Sequence, residues 1–316
     1  MRYVLMLEAQ QGLTYDDQLA IALRAEAAGF EALFRSDHYE SFPGPAGRPT
    51  SDAWTVLAGL ARETTRIRLG VLVSPVTFRP PGTMAKIVAT VDHMSGGRVE
   101  LGLGAGWNAD EHRRHGVPFP PIGERADMLE EQLAIVRGLW TEPDGWSFEG
   151  RHYQVEDTIF QPKPIQRPNP PIIVGGEGRP RSLRIAARWA DEVNITSSTP
   201  DEVAERYARL DEACLAIGRD PATVRRSAMV GTLIGRDESE FAARRRDLLA
   251  EFGAEAQGAD WFAQRERRWI VGTPERARAR VAEFAAAGVE RLVLQDFVPR
   301  DLDMIDLIGE ELIGPG

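Results

Sequence analysis

An acid beside an imidazole is the first arrangement in this chain that chemistry can use. In Ser36-Asp37-His38 the imidazole can move a proton near neutral pH, while Asp37 can set its tautomer or anchor a ligand hydroxyl. The same residues also read as a capping Asp and a surface His. Two glycine-rich runs offer a second chemistry, in which the backbone is the binding group. The run Gly102-Leu103-Gly104-Ala105-Gly106-Trp107-Asn108 has Trp107 where the third glycine of G-x-G-x-x-G belongs, so a Rossmann fingerprint is a weak reading. Thinned backbone lets a flat ring lie close, touched by Trp107 and Asn108; a tight barrel corner explains the glycines equally well. The second run, Gly175-Gly176-Glu177-Gly178-Arg179-Pro180-Arg181, joins a strand to a helix. There, backbone N–H groups with Arg179 and Arg181 suit a phosphate, and a turn needing left-handed residues suits the glycines too. A stiff exit, Ser74-Pro75-Val76-Thr77-Phe78-Arg79-Pro80-Pro81-Gly82, can support a ring or serve as a plain turn.

Other reactive side chains lack company. His112 and His115, beside Asp110 and Glu111, have metal-compatible spacing but no third ligand, so a solvated face is the preferred reading and no metal site is assigned. Lys86 and Lys163 are the only lysines and Cys214 the only cysteine, which leaves few anchors for Schiff-base chemistry and none for a disulfide within the chain. The first strand ends in Glu8-Ala9-Gln10, without the His-x-His of a metal-dependent hydrolase barrel.

What must position these residues is a βα alternation. Short β-branched or leucine-rich runs at 2–7, 32–35, 67–73, 99–103, 171–174, 192–195, 226–234 and 291–295 alternate with helical patterns at 15–28, 52–63, 82–94, 123–140, 181–189, 200–216, 238–252 and 274–287. That repeat predicts a (β/α)8 TIM barrel. Two segments exceed a minimal barrel: 141–170, expected to pack over one end, and 236–272, which carries Trp261, Phe262 and Trp269. Long insertions of this kind serve as lids or substrate walls. No internal linker separates two cores, so residues 1–316 read as one domain. Barrel sites form at the carboxyl ends of the strands, which is where each run named above falls.

Composition narrows the partners. A formal charge of -10 and a pI near 5.2 oppose nucleic acid or an anionic membrane as the main partner. No segment approaches about 20 uninterrupted apolar residues and none reads as a signal peptide. A soluble, cytoplasmic protein is the expectation.

Taken in order, Ser36-Asp37-His38, the Ser74–Arg79 exit, the Gly-Leu-Gly-Ala-Gly-Trp-Asn run with Glu111-His112 after it, the Gly175-Gly176 turn and Ala186-Ala187-Arg188-Trp189-Ala190-Asp191 resemble the bacterial luciferase-like flavin superfamily. Within it, the chain is most similar to the F420-dependent oxidoreductases, over about residues 1–300. The resemblance implies a barrel holding coenzyme F420, or alternatively FMN, with the ring at the mouth beside Asp37 and His38 and the phosphate at the fifth-strand turn. It implies a bulge with a non-proline cis peptide at Leu72-Val73 or Val73-Ser74 behind the ring. Cofactor contacts carry over to Ser74, Ala105, Gly106, Gly175 and Gly176, with Thr196 on the substrate side. Leu72 and Val73 at the bulge, Trp107 and Asn108 after the fourth strand and Glu177, Gly178 and Arg181 at the fifth-strand turn join the cofactor contacts by their place, and Glu8 at the first strand end joins the substrate side. One departure stands out: sugar-phosphate dehydrogenases of this family carry a glutamate where Trp107 stands, so a flatter or more apolar substrate is implied. Neither Glu8 nor Glu111 occupies that place, and His38 is expected to act largely alone.

The leading expectation is hydride transfer between C5 of F420 and a small organic substrate, with His38 handling the proton. An FMN-dependent monooxygenase fed by a separate reductase is the nearest alternative. A non-catalytic flavin-binding protein and a metal-dependent hydrolase are alternatives from other classes. Relatives commonly form homodimers, so a homodimer is implied.

Overall fold

The computed structural model describes residues 1–253 and 260–314; residues 254–259 of the 236–272 excursion therefore lie outside the described residues. The strands, in chain order, are β1 (Arg2–Leu7), β2 (Ala32–Arg35), β3 (Arg68–Pro75), β4 (Val99–Gly104), β5 (Trp146–Glu149), β6 (Gln154–Thr158), β7 (Ile172–Gly176), β8 (Glu192–Thr196), β9 (Arg225–Ile234), β10 (Ile270–Gly272) and β11 (Arg291–Asp296). Eight of them, β1, β2, β3, β4, β7, β8, β9 and β11, pair in parallel around a closed ring, with β11 returning to β1 and β8 joining β9. This is the TIM barrel that the alternation predicted. Between strands run helices α1 (Tyr15–Ala27), α2 (Ala53–Glu63), α3 (Pro81–Ser95), α4 (Ala109–Arg114), α5 (Ile122–Thr141), α6 (Pro180–Trp189), α7 (Pro200–Ala216), α8 (Glu238–Phe252), α9 (Asp260–Glu266) and α10 (Pro274–Ala286), and α11 (Leu302–Ile308) follows the last strand. Their starts follow ordinary capping chemistry: Thr14 accepts from the Asp17 amide while the Asp17 carboxylate accepts from the Thr14 amide. Among the described residues no helix is long and apolar enough to cross a membrane.

Strand alternation sorts side chains between two cores. Val4, Met6, Ala32, Phe34, Leu72, Ile173 and Val293 fill the barrel interior, while neighbours such as Leu5, Leu33, Leu101 and Leu292 meet the helices. The interior ends below in a buried ion cluster. The Arg291 guanidinium reaches Glu100 at 2.7 Å and Glu192 at 3.0 Å and lies 5.0 Å from the Phe34 ring centre. Burial opposes the Glu100 charge, but Arg291 and Arg68 outweigh it and hold that carboxyl below its ordinary value. Burial instead pushes Glu192 up.

The two insertions lie at opposite ends. The segment 141–170 forms the β5–β6 hairpin, and its last part packs on the amino-terminal ends of the strands: Asp92 accepts from the Ile165 amide at 2.7 Å, and Gln166 bonds to Val99 and Arg68. It follows a helix rather than a strand, so it lands away from the mouth and is no substrate wall. The last described part of the 236–272 excursion lies at the carboxyl end, where β10 pairs with the end of β9. Its Trp269 packs where a Cβ on Gly231 would otherwise stand, and stacks on Phe297 at 5.3 Å.

Asp296 closes β11 with a buried carboxyl. Its Oδ1 accepts from the Val298 amide at 2.8 Å, its Oδ2 has no partner among the described residues, and burial pushes it up to about 7. The folded chain therefore holds a proton that the unfolded chain releases above about pH 4. This contribution is fully present below that pH and is lost as pH rises through about 7. Asp296→Asn is expected to gain about 2–4 kcal/mol over the parent at pH 8 and to show little gain at pH 4–5, measured by urea unfolding. An equal gain at both pH values would refute the assignment.

Candidate active site

The loop leaving β2 splits Asp37 from His38. Ser36 donates to Gln10, and Asp37 turns behind the strand ends, where it accepts from Ser74 Oγ at 2.7 Å and from Arg79 at 2.5 and 3.2 Å. Ser74 in turn accepts from the Trp54 indole of α2 at 2.9 Å. Burial disfavours the Arg79 charge, but Asp37 and Asp52 outweigh it and hold the guanidinium protonated. Asp37 thus fastens β2 to β3 and is not the orienting partner of His38.

That partner is Glu111. Its Oε2 lies 2.9 Å from His38 Nδ1, and its Oε1 accepts from the backbone amides of Tyr39 at 2.5 Å and Glu40 at 3.1 Å. Glu111 is 1% exposed and His38 13%. Burial works against the Glu111 charge, but the His38 and amide hydrogen bonds outweigh it and keep the carboxyl below its ordinary value. A carboxylate accepts only, so Nδ1 carries the proton and Nε2 is the basic nitrogen. His38 does not act alone, and Glu111 is not on a solvated face. Sequence spacing did carry a signal: Asn108 caps α4 by accepting from the Glu111 amide at 3.2 Å, as in a capping box. The Glu111 side chain, however, crosses to the β2 loop instead of turning back. His112 is also buried, bonded to Asn108 O at 2.7 Å and Thr77 Oγ1 at 2.6 Å. Among the described residues no group of three or more His, Cys, Asp or Glu could hold a metal ion.

Two aromatic rings border His38. Phe42 meets it edge-on at 4.5 Å and Trp107 at 5.8 Å, and those two rings are 5.5 Å apart. Trp107 is 67% exposed. Phe42, which sequence reading did not single out, rides on a loop clasped to the far wall. Arg48 forms a bidentate ion pair with Glu251 of α8, Gln11 donates to the same carboxylate at 3.3 Å, and a Cβ on Gly44 would collide with the Glu251 carbonyl.

The glycines of β4 and β7 seat a bulge. The ladder between β3 and β4 shifts between Val71 and Ser74, and the Leu72-Val73 peptide is cis. A Cβ on Gly104 or on Gly175 would come within 2.6 Å of a Val73 methyl. The tight-corner reading of these glycines therefore has a named cause. Ala105 and Gly106 follow, their carbonyls accepting from Arg125 at 3.0 and 3.4 Å, with Gly106 at φ 80°.

At the end of β7, Gly176 and Gly178 lead into α6. That helix starts at Pro180 with no side-chain cap and no acidic residue in its first turn. The arginines are already engaged: Arg179 with Glu177 at 2.8 Å, and Arg181 with Asp127 and the Gly123 carbonyl. Arg181 therefore braces α6 on α5. Beside this turn, Thr196 Oγ1 lies 3.4 Å from Ser197 Oγ. At the centre, Glu8 accepts from Gln10 at 2.5 Å and Gln295 at 2.6 Å; Gln295 was not foreseen.

Comparison with known proteins agrees with this architecture. Residues 1–291 match the family described as luciferase-like monooxygenase. The F420-dependent glucose-6-phosphate dehydrogenase of Microbacterium testaceum is 28% identical over 317 residues, covering 94% of this chain and 92% of that one. The FMNH(2)-dependent dimethylsulfone monooxygenase of Pseudomonas putida is 26% identical over 326 residues, covering 92% and 85%. An F420-dependent secondary alcohol dehydrogenase, solved with an F420-acetone adduct, shares the fold at a TM-score of 0.84 and 20% identity, over 99% of each chain. The barrel, the order of its strand-end motifs and the family match over residues 1–291 together establish that this chain belongs to the luciferase-like monooxygenase family.

Proposed function

We propose that the chain is an F420-dependent oxidoreductase acting on a small organic substrate, with His38 as the catalytic residue that takes up or delivers the proton accompanying reduction or oxidation. The observation that carries this reading is His38 itself, its Nδ1 anchored on the buried Glu111 carboxylate and its Nε2 left as the proton-exchanging atom.

The residues fit a flat ring with an anionic tail. The Leu72-Val73 bulge and the Ala105-Gly106 backbone would hold the ring, with Trp107 and Asn108 at its edge, and Ser74 would contribute its backbone because its hydroxyl is committed to Asp37. The uncapped start of α6, with Gly176, Glu177 and Gly178, would hold a phosphate through backbone N–H groups. When bound, the deazaflavin supplies hydride chemistry at its C5. The chain's share is to hold the reactants together, keep His38 in one tautomer and keep Asp37 neutralised by Arg79. The FMN-dependent relative supports a second reading, a monooxygenase that receives reduced flavin from a separate reductase.

His38→Ala is expected to lower kcat by about 10²–10⁴-fold while coenzyme affinity stays within about threefold. Glu111→Gln should lower kcat by about 10–100-fold without loss of fold, because it removes the charge but not the volume. Steady-state kinetics with coenzyme binding in parallel check both, and near-parental turnover in His38→Ala would remove the proton role. Titration of the apoprotein by fluorescence should give micromolar binding of F420 and weaker binding of FMN. Tight FMN binding, with oxygen uptake on adding reduced FMN, would overturn the choice of coenzyme.

A further inference from the structure

Around the mouth, the inward-facing positions at the strand ends are mostly small or neutral. Following the alternation set by Phe34, Ile173 and Val293, they are Ser36 on the β2 exit, Gly104, Gly175, Thr196, Gly231 and Gln295. Glu8, just past β1, is the exception. It is buried, and its two oxygens accept from two neutral amides, those of Gln10 and Gln295.

Of the buried carboxylates beside it, Asp37 and Glu111 each have a cation or several amides, and Asp296, with one amide, is pushed up toward its neutral form by burial. Asp37 has Arg79, and Glu111 has His38 and two backbone N–H groups. No ion pair reaches Glu8 among the described residues. The cations at this end are spent elsewhere: Arg79 on Asp37 and Asp52, Arg125 on the carbonyls of Ala105, Gly106 and Pro120, and Arg206 on Ser198. Arg35 acts on Glu8 only through space; its guanidinium is bonded to Gln18, Ser51 and the Ser36 carbonyl. Residues 254–259, outside the described set, include no lysine or arginine in sequence, so they cannot supply the missing charge.

A carboxylate oxygen has two lone pairs, and each oxygen of Glu8 has one amide on it. The remaining acceptor capacity is buried, and a buried charge with no directly bonded cation gains from every further donor. An anion brought to the same place would meet like charge in a low-dielectric setting, with no cation among the described residues paired to Glu8 and Arg35 acting only through space.

We infer that this mouth admits substrates that carry a hydrogen-bond donor and no negative charge, with Glu8 as the residue that sets the preference. The inference rests on the proposed reading only in taking the mouth as the substrate site. A hydroxyl or ammonium group donates to Glu8; a carboxylate or phosphate ester is rejected. Trp269, packed over the inward-facing Gly231, and the exposed Trp107 beside His38 are the large apolar side chains such a molecule would meet at the mouth.

Three matched probes test it: benzyl alcohol, benzylammonium and benzoate, binding to the purified chain with and without coenzyme, followed by tryptophan fluorescence and saturation-transfer NMR. The alcohol and ammonium should bind at least about 10-fold more tightly than benzoate. Glu8→Gln should bring the three within about threefold, and Gln295→Arg, which leaves Glu8 in place and adds a cation beside it, should raise benzoate affinity about 10-fold or more. Benzoate binding the parent as well as the alcohol does, no detectable binding of any probe, or an order unchanged in both variants would overturn the inference. The readout is independent of the coenzyme titration: F420 binding with the wrong charge order sinks this inference alone, and the right order without F420 binding sinks only the proposed reaction.

Discussion

A carboxylate buried to 1% exposure must satisfy both oxygens within the protein, and Glu111 does so entirely on one loop. It takes the imidazole of His38 and the next two backbone amides. Those three bonds fix where the chain leaving β2 can go, which ring nitrogen holds the proton, and how closely α4 approaches the mouth. The imidazole is thus set by a residue that never has to meet a ligand. Removing the Glu111 acceptor altogether would change a loop as well as a proton, because the group that selects the tautomer is also the loop's anchor.

The rest of the barrel keeps that arrangement rigid from below. Arg291 gathers Glu100 and Glu192 at the floor, apolar side chains fill the middle, and the bulge at Leu72-Val73 occupies the space that glycines on β4 and β7 leave open. The site is built where this packing stops. Above the apolar layer the inward face turns polar again, so the geometry of the mouth is inherited from a close-packed interior.

Much of this could be read without coordinates because it is local. Period-two apolar runs and capping signals define strands and helices within a few residues of one another, and the strand-end rule then locates the mouth. His38 and the glycines were visible for that reason. The pairings were not. His38 and Glu111 are 73 residues apart, and Asp37 and Arg79 are 42 apart. An adjacent acid and imidazole suggest a pair, yet successive residues at a strand exit diverge, and each side chain took its partner from a different loop. His112 looked solvated because α4 is short and charged; its burial follows from packing against Thr77 and Phe119. The glycines before Trp107 looked like room for a ligand, and part of their purpose is room for Val73.

Opposite rims of the mouth are tied by Arg48, Gln11 and Glu251, with Gly44 pressed against the same stretch of α8. In most barrels each βα loop is a separate module that can be exchanged on its own. Here the loop bearing Phe42 and the carboxyl end of α8 share fasteners, so they form one mechanical unit. Inheritance would act on them as a pair: lengthening or recharging one strand's loop without matching the other leaves a half-buried arginine or glutamate without its mate. Diversification of this mouth would accordingly proceed by linked substitutions across the rim rather than by independent loop replacement.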